Sequence, residues 1–248
     1  MEAADAPVGF YGKLPCRGDF LQRRVRQEFV EVWDEWLQRC LAESIAQMQE
    51  RWLEAYLTSP VWRFVLSPGI CGEGAYGGVM VPSVDRVGRY FPLTIVASWE
   101  PENSALAVAC GAHAWFDRAE ELALDAPEAS DFDLFDASIA QLPALANGQE
   151  ASETTALRAH LDRLESSASP EATGWRVPLR SVHSLQRAVN LLAAREIERA
   201  LQPLSLWWSD GSKHTEPTWV CQRGLPRAEG FAGMLAEQLS EEAPCCSR

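Results

Sequence analysis

Long apolar runs are missing from this 248-residue chain: none reaches the roughly 18 to 20 consecutive apolar residues that a membrane-spanning helix needs. Cysteine motifs are missing as well. The seven cysteines are an odd number, with no CxxC and no spacing to histidine that suits tetrahedral zinc, so they read as reduced thiols rather than as a disulfide frame or metal set. Cys16, Cys40, Cys71, Cys110 and Cys221 stand inside or beside apolar runs, where free cysteine behaves as a small hydrophobe. Positive charge is scarce, with 22 Lys and Arg against 35 Asp and Glu and a formal charge of −13. That balance opposes binding to a phosphate backbone, which depends on counterion release to a basic face, so nucleic acid is not an expected partner. The opening MEAADAPVG holds two acids, no base and no apolar core. No secretory signal is therefore expected there, and the chain is expected in the cytoplasm without direct membrane insertion.

Signatures of catalysis are absent too. His113, His160, His183 and His214 are scattered singly, without HExxH, and no GxSxG elbow presents a serine. The glycine-dense SPGICGEGAYGG of residues 67–78 lacks a GK[ST] ending and runs into a strand, so no helix dipole would face an anion. Asp131, Asp133 and Asp136 are spaced for a helix cap and a solvated face rather than for a glycosidase pair. A non-enzyme is expected, with no cofactor and no metal.

What is present is a legible succession of elements. VGFYGKL, residues 8–14, reads as a short strand ending at Pro15. Asp19 is placed as an N-cap, with Gln22 completing a capping-box pattern. From there apolar residues recur every three or four positions through Phe29, Val32, Trp33, Trp36, Leu37, Cys40, Leu41 and Trp52 to Tyr56, which predicts one helix from Asp19 to Tyr56. Val61 to Leu66, Ala75 to Val81 and Arg89 to Ser98 read as three successive strands, an antiparallel meander. Helices are expected over Asn103 to Leu124, in DFDLFDASIAQLPAL with Asp131 or Asp133 as cap, around Leu157 to Leu164, over Leu185 to Leu201 and over Glu229 to Leu239. GWRVPLRSV suggests an edge strand, and LSLWWS with PTWVCQ a hairpin. In LWW, adjacent strand residues face opposite ways, so one indole should point inward and one toward a surface that a partner could use.

Strand runs and helix runs are grouped rather than alternating, which favours an α+β fold, an α/β/α-type sandwich with a mostly antiparallel sheet flanked by helices. A single domain over 1–248 is expected, since a chain of this length buries roughly 70 to 75% of its unfolded surface. Residues 125–175 read as a variable connection and 240–248 as a mobile tail.

Two segments carry more charge than their turns require. The Arg17-Gly18-Asp19 tripeptide in GFYGKLPCRGDF leaves Arg17 unexplained by a turn and a cap, and PSVDRVGRYFP holds Asp85, Arg86 and Arg89. An integrin-ligand reading of the tripeptide does not suit a cytoplasmic chain. Arg17 and Asp19 are expected close to the turn from Asp85 to Arg89, as a loop clamp or as a patch read by a protein partner.

These segments also carry a family likeness. GFYGKLPCRGDF from Gly9, the pair Trp33 and Trp36, SPVWRFVLSPG from Ser59 and GVMVPSVDRVGRYFPLTI from Gly78 resemble the TagF family of bacterial type VI secretion accessory proteins. The resemblance is dense over 8–99, looser through SLWWSDG and the last helix, and slight over 125–175. It implies a non-enzymatic cytoplasmic regulator that restrains the secretion apparatus after translation, in a pathway with the forkhead-associated scaffold protein Fha, beside a threonine kinase and phosphatase. It assigns no residue roles. The alternative from a different class is a small-ligand or nucleotide sensor, with the glycine-rich loop and Arg17, Arg86 and Arg89 around a pocket.

Overall fold

The computed structural model describes residues 7–100, 104–126, 132–146, 158–161, 163 and 185–236. Its centre is a seven-stranded sheet built from β1 (Gly9–Gly12), β2 (Leu21–Arg23), β3 (Trp62–Leu66), β4 (Ala75–Val81), β5 (Leu93–Trp99), β6 (Leu204–Ser209) and β7 (Thr218–Arg223). The spatial order is β2-β1-β5-β4-β3-β6-β7, and every neighbouring pair is antiparallel. Helices α1 (Gln27–Met48), α2 (Trp52–Leu57), α3 (Ala105–Gly111), α4 (His113–Asp125), α5 (Phe132–Ala140), α6 (Leu185–Ala200) and α7 (Phe231–Leu235) accompany it. The fold is α+β, as the grouping of elements predicts.

The sheet is buried on both faces because its strands are apolar at every position rather than at alternate ones. Phe64, Leu66, Tyr76, Met80, Val96 and Trp207 face one helical layer, where they meet Phe29, Trp33, Trp36, Leu37 and Cys40 of α1. Their sequence neighbours Val65, Val79, Val81, Ile95 and Leu206 face the other, against Val108, Phe116, Ala119 and Ile139 from α3, α4 and α5. The strand period of two thus splits one run of apolar residues between two cores. Trp207 and Trp208 divide in this way: Trp207 is fully buried under α1, while Trp208 is partly buried on the other face, edge-on to Phe116 at 4.8 Å.

The tryptophans are core residues with satisfied donors. Trp33 Nε1 donates to Thr94 Oγ1 (3.0 Å), Trp36 Nε1 to the Pro226 carbonyl (2.7 Å) and Trp62 Nε1 to the Met234 carbonyl (3.0 Å). Each bond closes a long sequence separation while the ring buries its area. The two bonds from Trp36 and Trp62 hold the C-terminal segment around α7 under α1.

Several boundaries differ from the expectation. Asp19 does not cap a helix: its side chain is fully exposed, and the chain goes on to pair Leu21–Arg23 with β1. The residues after Asp19 gain more from that ladder and from Phe20, which stacks on Tyr11 at 5.8 Å and meets Phe91 edge-on at 4.8 Å, than from a first helical turn. Helix α1 begins only at Gln27, without a side-chain cap, after a left-handed Arg24. The predicted single helix is also interrupted by a left-handed Gln49 and a 3-10 turn over Gln49–Arg51, so the remaining periodicity continues in α2. The stretch from Asn103 splits at Ala112, just after Gly111, whose backbone entropy disfavours helix interiors. His113, read as half-buried, is exposed at the start of α4. The proposed edge strand at 174–182 and the tail at 240–248 lie outside the described residues, while residues 158–161 are helical.

Replacement of Trp36 by Ala removes a side chain that is 3% exposed and deletes the donor to Pro226. A loss of about 3 to 5 kcal/mol is expected in urea unfolding. A loss below about 1 kcal/mol would place Trp36 at a surface instead.

Candidate functional site

At one end of the sheet β1 finishes at Gly12, whose φ is +136° and whose missing Cβ would stand 2.1 Å from the Pro92 carbonyl oxygen. Only glycine allows this close approach of the chain to the β4–β5 connection. Lys13 follows, 5% exposed between apolar neighbours, and the chain turns over residues 15–19 with the Arg17 N–H donating to the Leu14 carbonyl. The β4–β5 connection folds back on itself through the bridge between Val84 and Tyr90 and a left-handed Gly88.

Asp85 is the hub of this corner, and its side chain excludes solvent entirely. Oδ1 accepts the backbone N–H groups of Val87 (3.0 Å) and Arg89 (2.9 Å), an Asx-type turn. Oδ2 accepts from Arg89 Nε (2.6 Å) and faces Lys13 Nζ (3.2 Å). Burial by itself would raise the carboxyl pKa, but the bonds from Arg89, Lys13 and Val87 outweigh it and hold Asp85 well below the usual carboxylate range. A buried charge with every lone pair occupied fixes geometry, and removing one partner leaves an uncompensated ion.

The two segments named by the sequence are brought together around this hub. The Arg86 N–H donates to the Arg17 carbonyl (2.9 Å), Arg89 Nη2 donates to the Gly18 carbonyl, and Ser83 Oγ donates to the Lys13 carbonyl (2.7 Å). Ser83 is held in turn by Tyr56, whose hydroxyl donates to the Ser83 carbonyl (2.8 Å) and accepts its N–H (3.0 Å). Burial pushes the Tyr56 hydroxyl above its ordinary range, against the pull of the Ser83 N–H, so it stays protonated and can donate.

The five residues divide by role. Asp85 and Arg89 form the clamp, with Lys13, which the sequence reading passed over. Its one signal is a lysine enclosed by apolar residues at a strand end, where an unpaired ammonium is costly. Asp19 stands 3.9 Å from Arg89 with a fully exposed side chain, a pairing worth little. Arg17 and Arg86 are exposed and form no ion pair among the described residues; the Arg17 guanidinium lies 4.9 Å above the Phe132 ring. Arg23 approaches the same ring at 5.3 Å, and Phe20 (47% exposed) and Val87 (64% exposed) lie on the two segments. The surface is a cationic and apolar corner on an acidic protein.

The glycine-rich loop does not join this corner. It connects β3 to β4, whereas Asp85 to Arg89 connects β4 to β5, so the two lie at opposite ends of β4, roughly 20 Å apart along its seven residues. The loop also faces a carboxylate: a Cβ at Gly72 would meet Glu28 Oε2 at 2.5 Å. A pocket formed by this loop with Arg17, Arg86 and Arg89 is therefore not present. Among the described residues no three His, Cys, Asp or Glu side chains converge to hold a metal, and no helix is long and apolar enough to cross a membrane. Burial pushes the Cys40 and Cys71 thiols up to about 12, which leaves both uncharged and unreactive near neutrality.

The depressed carboxyl of Asp85 gives stability that is fully present above the unfolded value near 3.8 and is lost as pH falls toward the lower folded value. The unfolding midpoint of the Asp85→Asn variant should therefore lie below that of the wild type above about pH 5, with the gap narrowing as the solution is acidified below about pH 4. A gap that does not change with pH would show that the Asp85 charge does not contribute.

The family described as TagF N-terminal domain, Type VI secretion system-associated, matches residues 9–142, which include the whole corner. Among solved structures the chain is similar to that of PA0076 from Pseudomonas aeruginosa PAO1, at 32% identity and a TM-score of 0.73 over 93% of this chain and 94% of that one. None of the curated proteins matches. With its sheet, its corner and its motifs in the matched region, the chain belongs to the type VI secretion system-associated TagF family.

Proposed function

We propose that this chain is a non-enzymatic cytoplasmic accessory protein that restrains type VI secretion after translation by binding a component of the apparatus, the forkhead-associated scaffold Fha. The exposed arginine corner is its contact surface. The observation that carries this reading is the division of labour at the corner. Asp85, Lys13 and Arg89 satisfy one another, whereas Arg17 and Arg86 stand exposed beside Phe20 and Val87 with no ion pair among the described residues.

Arginines beside apolar side chains on a rigid loop are the composition from which interface hot spots are made. The formal charge of −13 sharpens the effect: an acidic partner surface is repelled by most of the molecule and meets attraction at this corner, which orients the encounter.

The test is the double charge reversal Arg17→Glu with Arg86→Glu, measured by capture of the scaffold from cells expressing the secretion cluster. Neither side chain supports the core, so stability should change by no more than about 0.5 kcal/mol. Scaffold capture should fall by about tenfold or more, with secretion released. Undiminished capture by this variant would remove the corner from the interface. In contrast, Arg89→Ala opens the clamp on Asp85 and should lower the unfolding midpoint as well.

A further inference from the structure

The far edge of the sheet carries a second surface, distant from the arginine corner. β7 pairs with β6 on one side, and among the described residues no strand pairs with its other edge. Exposed strand edges invite pairing, and proteins usually blunt them. The opposite edge, β2, is blunted: it has three residues and ends at the left-handed Arg24. β7 has six residues, contains neither proline nor lysine, and presents Trp219 at 61% exposure.

The two faces of β7 look into two different grooves. On the α1 side Val220 and Gln222 border an open cleft of about 1060 Å³, with Trp36 and Met234 in its lining and Arg39 and Arg227 among its walls. Arg39 has one weak exposed pairing, to Glu35 at 3.8 Å, and Arg227 has no ion pair among the described residues. Glu229 also borders the cleft, as does Arg223, which donates to the Ala200 carbonyl. On the α3 side Trp219 and Trp208 border a groove of about 390 Å³ with Leu106 and Ala109, its walls apolar apart from His113.

We propose that β7 is a docking edge for an extended segment of a partner protein in which acidic residues alternate with apolar ones. An added eighth strand would project successive side chains to opposite faces. One set enters the arginine-bordered cleft, where carboxylates are favoured, and the other enters the tryptophan-bordered groove, where apolar groups are. The open backbone of β7 supplies the ladder that gives affinity, and the two unlike grooves supply the pattern that gives specificity. A second copy of this chain does not fit the same rule: its own β7, Thr-Trp-Val-Cys-Gln-Arg, offers the cleft no acid.

The test uses the full chain and a blocked hexapeptide, Glu-Leu-Glu-Val-Glu-Leu, kept below the concentration at which it self-associates. Two controls accompany it: a peptide of the same composition with its acids grouped together, and the alternating peptide N-methylated at every second backbone amide. Calorimetry should show saturable binding of the alternating peptide, with affinity reduced about tenfold or more by Arg227→Glu and by Trp219→Ala. The N-methylated control should not bind, and amide exchange across Thr218–Arg223 should slow only with the alternating peptide. Both substitutions are at exposed positions, and an unchanged unfolding midpoint separates lost binding from lost fold. Equal binding of all three peptides, no saturable binding of the alternating one, or a dimer in solution that Trp219→Ala dissociates would each overturn the proposal.

Discussion

The burial of Trp33 is the constraint on which the sandwich depends. Its ring lies parallel to Trp207 of β6 at 5.8 Å and touches Phe64 of β3 at 4.7 Å, while its indole N–H reaches Thr94 on β5. One side chain of α1 thus contacts three strands in a sheet whose central order is β5-β4-β3-β6. Rotating or sliding the helix would break the hydrogen bond and the stack together, and an unpaired indole N–H in this environment is expensive. Phe29 and Trp36 extend the same aromatic column along α1, at 5.1 and 4.8 Å from Trp33. Position on the sheet is therefore set by a directional bond within a large non-directional burial.

The corner at the sheet end follows from that placement. With α1 fixed, α2 brings Tyr56 beneath the β4–β5 connection, where its hydroxyl ties both the N–H and the carbonyl of Ser83. Ser83 binds Lys13, and Lys13 faces Asp85, so an unbroken polar chain runs from the aromatic core to the surface loop. The consequence for function is rigidity. A partner that reads Arg17 and Arg86 meets side chains carried on loops whose backbones are already ordered, so little conformational entropy remains to be lost on binding.

The two candidate surfaces obey different physics. The corner is cationic on an anionic molecule, so recognition there depends on charge and weakens with salt. The β7 edge offers unpaired backbone between a polar and an apolar groove, so recognition there depends on the extended shape and alternation of whatever binds.

The sequence by itself determined the class of fold and the apolar faces of its elements. The three- and four-residue spacing of Phe29, Trp33, Trp36 and Leu37 can be satisfied only by a helix with one buried side, and the short β-branched and aromatic runs from Trp62 to Trp99 only by strands. The charge of Arg17, Asp85, Arg86 and Arg89 was equally legible, because charges in turns between apolar strands stand out from their neighbours. Which charge does what was decided by tertiary structure alone. Asp19 lost its cap because Phe20 and β2 found better partners across the chain in Phe91 and β1, a long-range gain that local propensity cannot register. Lys13 acquired its role only when Gly12 let the chain meet the β4–β5 turn. The open edge of β7 likewise exists only because the strand order ends there, since position in a sheet is a property of pairing between distant segments and not of any one of them.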